Sequence, residues 1–461
     1  MSRARNLPQP RVREAPQATV TAHHVEDLAQ GMRAFLVATT GLNADQRVTL
    51  EVTDDDGRQA IAASRTLPAT IAAGQPFTIG LGSCYNWPMD LKEVYRWFPP
   101  NRHTGGSPDP IRLCFLLGDQ IYMDLEKSID AHKSDAWSEP LDKAPDPWKA
   151  YQEQWADRRY RNFLVKGECS FLMLADDHEM WNDYPHTPVW LPWTKGSNAR
   201  KLEREMVNAF DVFQAALNLP PSDVAGATSI NHSRIQAGGL TFSFDVSPLS
   251  FFVLDTRIGR QRTDTGATPA FTDPEHLDAV VEWLQTAGGF GVLAVAAPVF
   301  QGKGSAFDHN LADYGADYRR LVDAIRRSRR PVLILAGDIH RSRLYSLFLA
   351  PGGARPSAAE FVSSPLSRLR EPPGVRPPEA EPVVRGTLGD SGAEFALETV
   401  DTASDGQQRF VTTEPQNYGT VTFTLAPDGS LQTAMRCWGP HRRVRDGAEL
   451  LLEKTLTWSL T

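Results

Sequence analysis

Hydrophobic positions fall into two rhythms along the chain. From Ala18 to about Phe77, short apolar and polar stretches alternate in Ala34-Phe-Leu-Val-Ala, Arg47-Val-Thr-Leu-Glu-Val and Phe77-Thr-Ile-Gly, with a turn at Asp54-Asp-Asp-Gly. A period of two is the signature of antiparallel strands, so a small β-sandwich domain is expected over residues 18–76. Beyond it, runs of four to six apolar residues alternate with helix-like segments: Leu113-Cys-Phe-Leu-Leu, Phe171-Leu-Met-Leu-Ala, Phe251-Phe-Val-Leu and Val332-Leu-Ile-Leu-Ala. Unbroken apolar runs fit strands covered on both faces. The spacing predicts helices over Asp273–Ala287, with Leu277, Val280, Val281 and Leu284 on one face, and over Asp317–Arg327. From Tyr418 the pattern Thr-Val-Thr-Phe-Thr-Leu, a turn at Pro427-Asp428-Gly429 and a return from Leu431 predict a β-hairpin. The expected fold is α/β, with residues 77–461 as one catalytic domain.

Three stretches break these rhythms. Residues 1–17 hold three Pro and four Arg without apolar periodicity, which predicts a flexible leader. Trp137–Trp193 carries six of the 11 Trp, separated by Pro and polar residues, and is expected to be an insertion or lid packed by its own rings. Residues 371–390 are Pro-rich and acidic, the composition of a surface loop.

Composition narrows the function classes. Apolar residues at 41% and charged residues at 23% are those of a folded globular protein. Lys and Arg number 48 against 56 Asp and Glu, a net charge of −8 that argues against a dedicated nucleic-acid or membrane-surface binder. The four cysteines, Cys84, Cys114, Cys169 and Cys437, have no CxxC spacing and are expected as reduced thiols. The basic start lacks the apolar core of a secretory signal and a twin-arginine pair, so a cytoplasmic location is expected. How the chain assembles is not encoded in these features.

Several strand-like runs end in polar clusters: Cys84 in Gly-Ser-Cys, Asp119 and Tyr122 in Gly-Asp-Gln-Ile-Tyr, Asp177 and His178 in Asp-Asp-His-Glu, Asp338 and His340 in Gly-Asp-Ile-His. Each alone reads equally well as a turn or a helix cap, a lone Cys as a small buried hydrophobe, and a lone Tyr as a packed ring. In open α/β sheets, however, ligands bind just beyond the carboxyl ends of the strands, where four such clusters follow in succession. Carboxylate, imidazole, phenolate and thiolate donors together suit one transition metal beside one harder cation. His103, His132, His186, His276 and His309 fall outside these clusters and are expected on the surface or in loops, with Asp308-His309-Asn310 a weak candidate for supporting the site.

The chain resembles the calcineurin-like metallophosphoesterases and, within them, the PhoD-like alkaline phosphatases. The resemblance rests on Gly82-Ser83-Cys84, Gly118-Asp119-Gln120-Ile121-Tyr122, Asp176-Asp177-His178-Glu179 with Asn182-Asp183, Asp255-Thr256-Arg257, Tyr314-x-x-x-Tyr318-Arg319-x-Leu321 and Gly337-Asp338-Ile339-His340, in the family's order over residues 77–345. It implies an αββα metallophosphoesterase sandwich preceded by the small β-domain. It further implies a dinuclear site, with Asp119 bridging, Cys84, Tyr122 and His340 completing an iron-like position, and Asp177 and Asp338 serving a second metal. Fe3+ with Ca2+ is the implied pair, with Mg2+, Mn2+ or Zn2+ as alternatives. His178 would bind the phosphoryl oxygen or protonate the leaving alkoxide, while Asn182 and Arg257 would contact phosphate. For Arg257 a buried structural contact with Asp255 is equally natural. The chain reads Ala297-Pro298-Val299-Phe300 where many metallophosphoesterases outside the PhoD-like group carry a Val-x-x-His ligand.

The function implied is hydrolysis of small-molecule phosphate esters by a metal-bound hydroxide. A phosphodiesterase remains open, since near the motifs only Arg257, Arg341 and Arg343 offer cations for a dianionic monoester. A hydrolase using Cys84 as nucleophile and a catalytically degenerate binding module are the readings of other classes.

Overall fold

The computed structural model describes residues 9–28, 33–53, 57, 59–90, 93–97, 110–125, 143–166, 169–196, 198–263, 269–286, 288–301, 303–304, 308–348, 357–367, 383–388, 393–399, 411–412, 416–441 and 447–459.

Two sheets form the centre. One has six strands in the order Ala448–Trp458, Leu431–Pro440, Tyr418–Leu425, Pro76–Gly82, Ile111–Leu117, Ser170–Leu174. Its last three strands run parallel, and the apolar runs of Ile111–Leu117 and Ser170–Leu174 fit strands covered on both faces. The other has nine strands around a parallel core of Leu249–Val253, Phe290–Ala294, Val332–Ala336 and Ala358–Val362. Their facing surfaces share one apolar core, in which Ile79, Leu81, Leu113 and Phe115 meet Phe251, Val253, Val292 and Leu335. The Phe115 and Phe251 rings stack 6.0 Å apart across it.

Helices cover the outer faces. Pro274–Gln285 and Gly315–Arg326 lay Leu277, Val280, Leu284, Leu321 and Ile325 onto the nine-stranded sheet. Pro at the first turn and Asp273 before it set the start of the first of these helices. On the other side Tyr160 and Phe163 of the helix Arg158–Lys166 pack with Tyr85, Trp97 and Tyr418. This is the expected αββα sandwich. The hairpin Tyr418–Leu425 with Leu431–Pro440 forms as predicted, turning at Gly429 with φ 79°.

Other expectations need correction. Within the stretch expected to be a leader, Gln9–Val12 is a strand paired with Arg47–Thr53, and Val12 and Ala15 are buried. Four residues are too few to show periodicity, and the pairing partner lies far along the chain. The N-terminal β-region comprises two small sheets, Gln9–Val12 with Arg47–Thr53 and Gln59–Arg65, and Thr19–Asp27 with Arg33–Thr40. Leu28 and Ala38, at the hairpin of the second, join the core of the helical insertion. In the Trp-rich segment, Trp148, Trp155, Trp181, Trp190 and Trp193 pack in that same core with the helices Pro147–Ala156 and Ala199–Phe213, whereas Trp137 lies outside the described residues. The segment also supplies the edge strand Ser170–Leu174. Of the Pro-rich stretch, residues 371–382 lie outside the described residues, while Val383–Leu388 is a strand rather than loop. No helix among the described residues is long and apolar enough to cross a membrane.

Candidate metal centre

The parallel strands of both sheets deliver their polar clusters to one place. Cys84 and Asp119 follow strands of the six-stranded sheet, Asp177 follows its edge strand, and Asp338 and His340 follow Val332–Ala336 of the other. Four of the seven described non-glycine residues with positive φ sit here, Cys84 (59°), Asp119 (55°), Asp338 (75°) and His340 (50°), and a fifth, Asp183 (62°), follows the Asp177 motif. Such backbone costs of order 1–3 kcal/mol per residue and persists only where the surroundings impose it. Gly118, at φ 90°, lets two clusters approach, since a Cβ there would lie 2.4 Å from Asp176 Cβ. The strand ends are thus bent sharply to turn side chains inward.

Four predicted donors converge on the first position. Cys84 Sγ lies 3.4 Å and Tyr122 Oη 3.3 Å from Asp119 Oδ2, and Tyr122 Oη lies 3.2 Å from His340 Nε2. Cys84, Asp119 and Tyr122 are buried. The thiol sits between the hydroxyls of Ser83 and Ser364, at 3.3 and 3.1 Å. Burial, reinforced by Asp119 and Asp338, pushes its pKa well up, and burial likewise raises the Tyr122 phenol. An unassisted thiolate nucleophile is therefore disfavoured, which counts against a Cys84-dependent hydrolase.

The second position is a group of carboxylates. Asp119, Asp176, Asp177 and Asp338 each bring an oxygen within 4.8 Å of the others. Burial first, then the neighbouring carboxylates, push Asp119 and Asp338 well above the usual range. Asp176 Oδ2 is buried without a hydrogen-bond partner. Buried carboxylates packed together need a cation, and an oxygen left unpaired among them fits one. The donors present thus suit a softer ion beside Cys84, Tyr122 and His340 and a harder one among the carboxylates.

Arg257 departs from its expected role. Its guanidinium is 1% exposed, Nε donates to Asp176 Oδ1 at 2.6 Å, Nη2 pairs with the same oxygen, and Nη1 donates to the Tyr184 carbonyl at 2.9 Å. Asp255 receives only the backbone amide of Arg257, at 3.1 Å, along with those of Ile258 and Gly259. The fork expected for phosphate is committed to a carboxylate; the structural contact exists, with Asp176 in place of Asp255.

His178 stands at the edge of the site, its ring 4.3 Å from that of Tyr122 and its backbone N–H donating to Asp119 Oδ1 at 3.2 Å. Its Nδ1 donates to Asp124 Oδ1 at 2.7 Å. Burial opposes charge on the ring, but Asp124, Asp177 and Asp119 outweigh it and hold its pKa well above the usual value. The backbone N–H of half-buried Asn182 donates to the other oxygen of Asp124 at 2.9 Å. Motif reasoning missed Asp124; only its place two residues after Tyr122 hinted at it.

Glu179 was also missed as an organiser. Its buried carboxylate accepts the backbone N–H groups of Asp119, Gln120 and Asp176 at 2.9, 2.6 and 2.8 Å, tying two motif loops together. His186 and His309 lie in loops, as expected, but not on the open surface. His186 is buried and His309 partly so, their rings stack at 3.9 Å, and both face Asp183. Where metallophosphoesterases outside the PhoD-like group are expected to carry a Val-x-x-His ligand, the amides of Val299 and Phe300 donate to buried Glu360 Oε1 at 2.7 and 3.0 Å.

Residues 79–286 match the family model of the PhoD-like phosphatases. A solved structure of PhoD aligns over 100% of this chain and 84% of its own, at 16% identity with a TM-score of 0.59. The purple acid phosphatase PPD1 from yellow lupin seeds aligns over 98% and 70%, at 10% identity with a TM-score of 0.49. No curated protein matches the chain. The family match covers the Cys84, Asp119 and Asp177 motifs, so over residues 79–286 the chain is similar to the PhoD-like phosphatases, and the fold it shares with PhoD extends over Asp338 and His340.

Proposed function

We propose that the protein is a metal-dependent phosphatase acting on small-molecule phosphate esters. The observation that carries this is the convergence of Cys84 Sγ, Asp119 Oδ2, Tyr122 Oη and His340 Nε2 beside a buried group of carboxylates. Cys84, Tyr122, His340 and Asp119 would hold the first metal, for which ferric iron suits the anionic donors; Asp119, Asp177 and Asp338 would hold the second, for which Ca2+ suits the oxygens, with Mg2+, Mn2+ or Zn2+ as alternatives. When bound, such a pair supplies Lewis acidity that lowers the pKa of water and neutralises phosphoryl charge.

The chain's own contributions follow from placement. Asp119 would serve both metals, a reading supported by Oδ2 lying beside the sulfur and phenol while Oδ1 accepts the His178 backbone N–H. His178 is held by Asp124 through Nδ1, so its other nitrogen is the one available to donate a hydrogen bond or a proton to a leaving alkoxide. Asn182 lies on the same loop, and its side chain would contact a phosphoryl oxygen.

A phosphodiesterase is the second reading, favoured by one observation: Arg257 and Arg343 are committed to Asp176 and Glu360, leaving fewer cations for a dianionic monoester. Hydrolysis of p-nitrophenyl phosphate and of its bis ester, with and without chelator, tests both. Loss of activity on chelation supports the metal-dependent reading, and the preferred ester decides between the two; activity indifferent to chelation overturns both.

A further inference from the structure

Asp183 follows the Asp177-His178 motif but lies apart from the two donor groups, and its surroundings are built. Its carboxylate is buried; Oδ2 accepts from His309 Nδ1 at 2.7 Å and Oδ1 from the His309 backbone N–H at 2.9 Å. His186 stacks on His309 with an interplanar angle of 7°, and its buried Nδ1 points at Asp183 Oδ1 from 3.6 Å without a hydrogen-bond partner. The Thr263 backbone N–H donates to His186 Nε2 at 3.1 Å, which leaves the ring hydrogen of neutral His186 on Nδ1, facing the carboxylate. Thr263 Oγ1 lies 3.0 Å from that Nε2 and 3.4 Å from His309 Nε2.

These donors lie within 4.8 Å of one another, yet they do not make a third metal site. The in-plane lone pairs of parallel stacked rings run side by side and cannot meet at one ion. What the arrangement does is clasp three loops: that of Asp183 and His186, that of Thr263, and that of His309. The clasp has a consequence at the metal centre, because the Asp183 backbone N–H donates to Asp177 Oδ2 at 2.5 Å. One oxygen of Asp177 is thereby tied to the Asp183 loop, in a carboxylate that also brings an oxygen within 4.8 Å of those of Asp119 and Asp338.

We propose that Asp183, gripped by His309, is a positioning residue that presents one oxygen of Asp177 to the second metal. The inference rests on the proposed metal-dependent function. It implies that loosening the clasp weakens the second metal and spares the first, since Cys84, Tyr122 and His340 lie on other loops. Removing groups that orient a ligand costs about 10- to 100-fold in metal affinity.

The test is calorimetric titration of Ca2+ into the full-length protein, with iron content measured on the same samples. His309→Ala is expected to raise the Kd for Ca2+ by about 10- to 100-fold with iron retained, and His309→Asn, whose amide can donate from the place of Nδ1, to recover most of it. Should His309→Ala fail to fold, Asp183→Asn, which keeps the backbone N–H but loses the charge that His309 grips, is expected to weaken Ca2+ binding in the same direction. Unchanged Ca2+ affinity in the folded variant, or equal loss of iron and Ca2+ without recovery in His309→Asn, overturns the proposal. Failure of the underlying function appears separately, as wild-type protein that binds neither metal.

Discussion

Asp124 accepts the Nδ1 hydrogen of His178 at 2.7 Å and, through its other oxygen, the backbone N–H of Asn182 at 2.9 Å. One buried carboxylate therefore fixes the tautomer of the candidate acid and the loop that carries it. Its negative charge also favours the imidazolium, which burial alone would disfavour.

The pH dependence of turnover follows. A general acid works only while protonated, so activity falls as pH rises through the pKa of His178. In Asp124→Asn the favourable charge is gone and that pKa drops, moving the alkaline limb of the kcat profile to lower pH. His178→Ala is expected to lower kcat by about 10²- to 10⁴-fold on esters with poor leaving groups, and by less on p-nitrophenyl esters. A profile in Asp124→Asn superimposable on wild type would remove His178 from this role.

Arg257 offers a contrast between structural and substrate roles. Because its guanidinium neutralises buried Asp176, Arg257→Leu is expected to destabilise the fold by about 3–5 kcal/mol in urea unfolding. An Arg serving phosphate alone would instead raise KM with stability intact.

Metal and pH should couple in stability. Burial raises the pKa values of Asp119 and Asp338 in the fold, and that of Glu179 to about 7. The folded state then binds more protons than the unfolded one, so stability of the chelated protein falls as pH rises from about 4 to 7. Cations bind the deprotonated carboxylates and reverse the trend, so the gain in Tm on adding Ca2+ should grow with pH over that window. A gain that is the same at both ends contradicts the cation assignment of the carboxylate group.

Gly118 tests the close approach of two motif loops. Ala at this position meets Asp176 Cβ at 2.4 Å and must also adopt φ 90°. Gly118→Ala is expected to cost more than about 1 kcal/mol in unfolding and to lower metal content along with it. Retention of both would mean that the loops tolerate separation.

Much of the architecture was legible because its signals are local. An apolar run such as Leu113–Leu117 followed by Gly118-Asp119 states both a buried strand and what stands at its end, and the resemblance ordered these ends into one site. The supporting residues were not legible for the opposite reason. Asp124 meets His178 across 54 positions and Asp183 meets His309 across 126, so nothing in the local sequence pairs them. Arg257 shows the same limit: Asp255 is its sequence neighbour, but the guanidinium finds Asp176, 81 residues away. Gln9–Val12 was missed because a four-residue strand at a chain's edge carries too little pattern to stand out from Pro and Arg.

The most direct test is elemental analysis of the purified protein, paired with phosphate ester hydrolysis in wild type and Asp119→Asn. Asp119 touches both donor groups, so the account predicts bound iron with a second divalent ion in wild type, loss of metal in Asp119→Asn, and activity that vanishes with it. Metal-free wild-type protein that hydrolyses phosphate esters unhindered by chelator, or full activity in Asp119→Asn, would contradict it.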